Sequence, residues 1–149
     1  MNYLRNFEEF LEIGIIKRRT PDFSRAKSLV QEAEKRKRFL KELSDKIKIT
    51  DDNANYFIEN VYDVLIELIR AKLFIDGFKS SGEGAHEAEV SYLRKLNFPE
   101  ADVKFMNSLR YFRNGIKYYG KSFDKEYAKR VLFFLDKVYL KLKEFVRPD

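Results

Sequence analysis

The stretch from Tyr56 to Ile75 constrains this chain more than any other. Tyr56, Phe57, Ile58, Val61, Tyr62, Val64, Leu65, Leu68, Ile69, Leu73, Phe74 and Ile75 recur at helical spacing and cover more than one face. With the capping segment TDDNANYF before it, the pattern predicts a helix over about 52–77. A helix apolar most of the way round must be central in its fold or lie at an interface between chains. At 1.5 Å per residue it is roughly 39 Å long and sets the long dimension of a bundle. Glu59, Asp63, Glu67 and Arg70 interrupt its apolar surface and argue against membrane insertion.

The remaining segments suit companions for that helix. Tyr3, Phe7, Phe10, Leu11 and Ile15 predict a short helix over about 2–13, followed by the turn IKRRTPDFS. Pro21 stops any helix there, and Asp22 or Ser24 can cap the next, over about 23–47. DGFKSSGEGAHEA reads as the clearest loop, because Gly77, Gly82 and Gly84 break both periods. Three more helices follow over about 85–96, 99–116 and 124–146, with Pro99 opening the second of them. No stretch alternates like a strand, and no repeat is present. The expected fold is all-α, an antiparallel helical bundle of four to six helices with no sheet. One domain spans 1–149, with 1–22 an N-terminal helix and turn and about 23–147 the bundle.

Residue types narrow the chemistry. Cysteine is absent, which excludes disulfides and thiolate metal sites, and a single histidine, His86, disfavours a zinc site. No metal and no cofactor is expected. The start MNYLRNFEEF lacks the order of a signal peptide, and no apolar run is long enough to span a bilayer. A cytoplasmic protein with no membrane partner is the expectation.

Charge is segregated along the chain. The net is −2 over 1–16, +7 over 17–48, −6 over 49–102 and +7 over 103–149. Two basic segments thus flank an acidic middle. A basic face suits phosphate contacts, whereas a lysine-rich solvated surface explains the same composition without any ligand.

The stretch RNGIKYYG, Arg113 to Gly120, holds the candidate site. On the fifth helix, Phe105, Leu109, Phe112 and Ile116 form a stripe that should face the core. Beside it run Met106, Arg110, Arg113 and Lys117. Three cations on one stripe repel at roughly a few tenths of a kcal/mol per exposed pair and are better tolerated against an anion. Tyr118 falls one turn above Asn114, and Tyr119 lies nearer Ile116. Gly115 allows a close approach or a loosening of the helix. The competing reading has Arg113 and Lys117 against the helix's own terminal carbonyls. His86 reads as an ordinary surface or capping residue, unless the start of the fourth helix approaches the end of the fifth.

The C-terminal half resembles a HEPN domain, an all-α family. The resemblance rests on GFKSSGEGAHEAEVSYL, FMNSLRYFRNGIKYYG and EYAKRVLFFLDKVYLKLKEF, and with the long helix it covers roughly 55–147. IKRRTPDFSRAKSLVQEAEKRKRFL is similar to segments of archaeal members. The family signature is an arginine, four to six residues, then a histidine, with a polar residue after the arginine. Arg113 and Asn114 match, and the histidine position holds Tyr118 or Tyr119. The resemblance implies binding of RNA or a nucleotide, with metal-independent ribonuclease activity in catalytic members. Arg113, Asn114 and Tyr118 would then be the catalytic positions, and Arg110, Arg113, Lys117 and Tyr119 the phosphate-binding ones. It also implies a homodimer with facing motifs and a toxin's pairing with a nucleotidyltransferase antitoxin, for which Tyr118 or Tyr119 would be the modification target. A tyrosine, with an ordinary pKa of about 10, is a poor general base at neutral pH, so binding can survive where cleavage does not. RNA binding is expected to depend on Arg113 more than on Lys137. The alternative from another class is a non-catalytic helical interaction module.

Overall fold

A computed structural model describes residues 3–147, the side chains of Lys117 and Tyr118 excepted. Its elements, in order, are α1 (Phe7–Glu12), β1 (Ile16–Arg18), α2 (Phe23–Lys46), α3 (Ala54–Ile75), β2 (Phe78–Ser80), α4 (Ala85–Lys95), α5 (Glu100–Tyr119) and α6 (Lys125–Phe145). The expected mostly helical bundle is what forms. No helix among the described residues is long and apolar enough to cross a membrane.

α3 is the axis. Thirteen of its residues are buried, and α2, α4, α5 and α6 all pack on it. Of the two placements expected for its apolar surface, it takes the central one, covered within its own chain. The core runs from Leu4 through Phe57, Leu65, Leu109 and Leu135 to Val146. Burial of such side chains contributes roughly 1.5–3 kcal/mol each.

Charge segregation has a structural cause. The acidic edge of α3 lies between basic neighbours. Arg36 of α2 pairs with Glu67 at 2.8 Å and approaches Asp63 at 3.9 Å. Arg113 of α5 reaches the other oxygen of the same Asp63 at 3.5 Å. A basic–acidic–basic sequence thus becomes three helices that attract side by side, and part of the basic excess is explained without a ligand.

The expectation of no sheet is corrected. β1 and β2 pair antiparallel, with Ile16 opposite Ser80, Lys17 opposite Lys79 and Arg18 opposite Phe78. Both strands fall in segments expected to be a turn and a loop, and three residues are too few to display a period of two. The pairing is anchored by buried Ile16 and continued by Arg19 N–H donating to the Gly77 carbonyl at 2.8 Å. Gly77 has φ +82, and a Cβ there would lie 2.8 Å from the Arg19 oxygen, so only glycine fits. β2 carries the chain back along α3. Successive residues of α4 then meet successive residues of α3: His86 beside Tyr62, Glu89 beside Arg70, Tyr92 beside Asp76. That return path positions His86.

Helix ends follow their chemistry. Asp22 and Asp124 accept the Arg25 and Tyr127 backbone N–H groups as caps of α2 and α6. α5 runs past its expected end at 116 to Tyr119 and closes on Gly120, whose φ of 64 suits a left-handed cap. Gly115 admits the Lys121 side chain, whose Cδ would lie 3.1 Å from a Cβ there. The helix does not loosen at that glycine.

Candidate functional site: an arginine, tyrosine and histidine cluster

RNGIKYYG is the final part of α5 and its cap. α5 presents Val103, Met106 and Leu109 to the core, with Phe105, Phe112 and Ile116 packed at its margin. Met106 is thus core, and Arg113 of the stripe it heads turns to Tyr62 and Asp63 of α3. Arg110 and Arg113 are half-buried.

Arg113 does not hold its own helix end. Its guanidinium carbon lies 5.4 Å from the centre of the Tyr62 ring, and Nη2 is 3.5 Å from Asp63 Oδ1. Among the described residues this is a cation over an aromatic face with one long ion pair, which leaves most of the five-donor fork unused. Arg110 donates from Nε to Asn107 Oδ1 at 3.0 Å and lies 5.6 Å from the Tyr111 ring. Asn114 is half-buried.

Tyr62 joins Arg113 to His86. The tyrosine is fully buried, and its hydroxyl lies 3.0 Å from His86 Nδ1. The two rings stack with centres 6.0 Å apart and planes 12° from parallel. Burial pushes the Tyr62 pKa up, so the hydroxyl keeps its proton and can donate it to Nδ1. That bond places the imidazole's own proton on Nε2. His86 is exposed, and Nε2 is the ring nitrogen left for a ligand.

The imidazole is held neutral. Desolvation lowers its pKa most, Glu89 opposes this, and Arg70, Arg113 and Arg110 lower it further. Those arginines come from α3 and α5, so α4 has brought its histidine into cationic surroundings. His86 therefore does more than the surface or capping role expected of it. The N-cap of α4 is Gly84, and His86 bonds Tyr62 instead.

A second arginine at the same place has a different character. Arg70 grips Glu89 with two hydrogen bonds, 2.7 Å from Nε and 3.1 Å from Nη2. The Ser80 hydroxyl donates to the same carboxylate at 2.7 Å, and Glu89 is only 1% exposed. This closed group ties β2, α3 and α4 together beneath the open one.

Of the expected site residues, Arg110, Arg113 and Asn114 share this end of α5, while Tyr119 is 78% exposed beside it. The Lys117 and Tyr118 side chains lie outside the described residues. Lys137 pairs with the nearly buried Asp102 at 2.8 Å, so it is a structural partner rather than a free surface lysine. Sequence reasoning missed Tyr62 and Asp63. The polar stripe Glu59, Asp63, Glu67 on an otherwise apolar helix was the available signal for Asp63, and none marked Tyr62.

Comparisons with family models, curated proteins and solved structures return no match to this chain.

Proposed function

We propose that the cluster of Arg113, Tyr62 and His86 on α5, α3 and α4 binds a phosphate of RNA or of a nucleotide, in a HEPN-type helical protein. One observation carries this reading. Among the described residues, the partly buried Arg113 is held by a ring face and one 3.5 Å contact, and the same ring bonds the exposed His86 imidazole. A phosphate offers the guanidinium a bidentate, charge-assisted partner that Asp63 does not provide at that distance. His86 Nε2–H supplies a further donor, and the cost of placing Arg110 near Arg113 is relieved by an anion between them. The exposed Tyr119 ring gives a base a face on which to stack. The HEPN resemblance draws attention to the same end of the same helix, on the independent ground of Arg113–Asn114. The cluster is arranged to donate hydrogen bonds, which favours binding as the primary activity, with cleavage to be assayed alongside.

The test is fluorescence anisotropy with a labelled single-stranded RNA across a salt series. Affinity should fall with salt, with a log–log slope of about −0.7 for each phosphate neutralised. Arg113→Ala should weaken binding by about 1–3 kcal/mol, the range for hydrogen bonds to charged groups. Lys104→Ala, at an exposed position on the same helix, should change it far less and serves as the control in place of Lys137. Undiminished binding by Arg113→Ala removes the reading.

A further inference from the structure

We infer that the outward face of α6 is a self-association surface that pairs with the α6 of a second copy, antiparallel, away from the cluster. α6 turns its buried residues, among them Val131, Leu135, Val138 and Leu142, to the bundle. Its opposite face carries Phe133 and Leu140, which are 74% and 72% exposed and seven residues apart. At 100° per residue they share one line on the helix. Isolated exposed apolar residues are ordinary on a protein surface. Here the charges flanking them decide the occupant.

Along the same line, Glu126 and Lys129 precede the apolar pair and Glu144 follows it; all three are exposed. Consider a two-fold axis crossing α6 between Asp136 and Lys137. Phe133 then meets Leu140 of the second copy, and Lys129 meets Glu144 of the second copy. Each pairing occurs twice, as an isologous interface requires. A parallel arrangement would set Lys129 against Lys129 and Glu144 against Glu144, so charge selects the antiparallel one. Within one chain these groups are weakly engaged. Lys129 lies 3.8 Å from Glu126 on the same helix face, a loose surface pair.

None of the cluster residues lies on this face. α6 meets α5 through Phe105 against Phe134 and Phe112 against Tyr127, whereas Arg113 turns to Tyr62 of α3. A dimer built this way leaves each cluster uncovered and able to act alone.

The test is sedimentation equilibrium on the full chain, with far-ultraviolet circular dichroism to confirm that each variant keeps its helix content. The parent should be a dimer at micromolar concentration. Phe133→Glu should be a folded monomer. Lys129→Glu and Glu144→Lys should each weaken the dimer by about tenfold or more, since each creates two like-charge contacts. The double variant Lys129→Glu/Glu144→Lys should recover most of the parent's affinity, which only the antiparallel pairing of these two positions explains. A parent that stays monomeric at several hundred micromolar, or a double variant no stronger than either single one, overturns the proposal.

Discussion

Arg70 and Arg113 lie within electrostatic reach of the same imidazole, yet the fold uses them in opposite ways. Arg70 has both arms on a buried carboxylate and a serine hydroxyl completing the group. Arg113 has a ring beneath it and a single oxygen at 3.5 Å. The difference originates in what faces each one. Glu89 is carried to Arg70 by the short return of β2, which leaves little freedom. Asp63, by contrast, is divided between Arg36 and Arg113 and satisfies neither at close range. A saturated arginine holds a fold together, whereas one with donors left unused is free to hold something else.

The comparison is broken most forcefully at Arg70. Arg70→Met leaves Glu89 with a charge inside the protein and no cation, and should cost about 3–5 kcal/mol of stability in urea unfolding. A loss below 1 kcal/mol would mean the buried pair is not what fixes α4 on α3. At Arg113 the expectation reverses. Arg113→Ala removes a loose pair and should change stability by about 1 kcal/mol or less. A stability loss like that of Arg70→Met would place both arginines in the structural class and leave no open cation.

Tyr62→Phe sharpens the comparison by removing the link to His86 while keeping the ring under Arg113. Loss of one hydrogen bond should cost about 1 kcal/mol. It should also raise the His86 pKa toward its ordinary value of about 6.5, because the hydroxyl favours the neutral ring. As the chain has one histidine, a proton NMR titration reads this directly. The pH dependence follows by linkage. The folded-state pKa of His86 is depressed, so the unfolded chain takes up the proton first as pH falls. The His86 contribution to stability is full above about pH 6.5 and is lost as pH drops through the folded value. His86→Asn should flatten that part of the profile; an unchanged profile would mean the ring is not held neutral. This is the smallest of the expected effects.

Much of the fold was legible because it rests on period. All six helices fall where apolar spacing put them, and the wide apolar face of 56–75 marks the central helix. Periodicity could not show β1 and β2, since three-residue strands joined across sixty residues leave no alternation to read. The same gap hid half of the site. Arg113 and Asn114 were visible as polar residues beside a core stripe. The approach of His86 to Tyr62 depends on the return of β2, and Tyr62 itself sat unremarked among apolar neighbours. A buried tyrosine with a polar partner and one without look alike in a sequence. Lys137 is a similar case: its exposed appearance gave no hint of Asp102, which lies 35 positions away.

The central claim is that an anion binds at the cluster of Arg113 and His86. The most direct measurement is the His86 pKa by NMR, with and without saturating short single-stranded RNA. A bound phosphate stabilises the imidazolium, so the account predicts that the pKa rises on binding and that Arg113→Ala, at the same RNA concentration, shows little of this rise. RNA that binds to saturation while the His86 resonances and pKa stay where they were would contradict it.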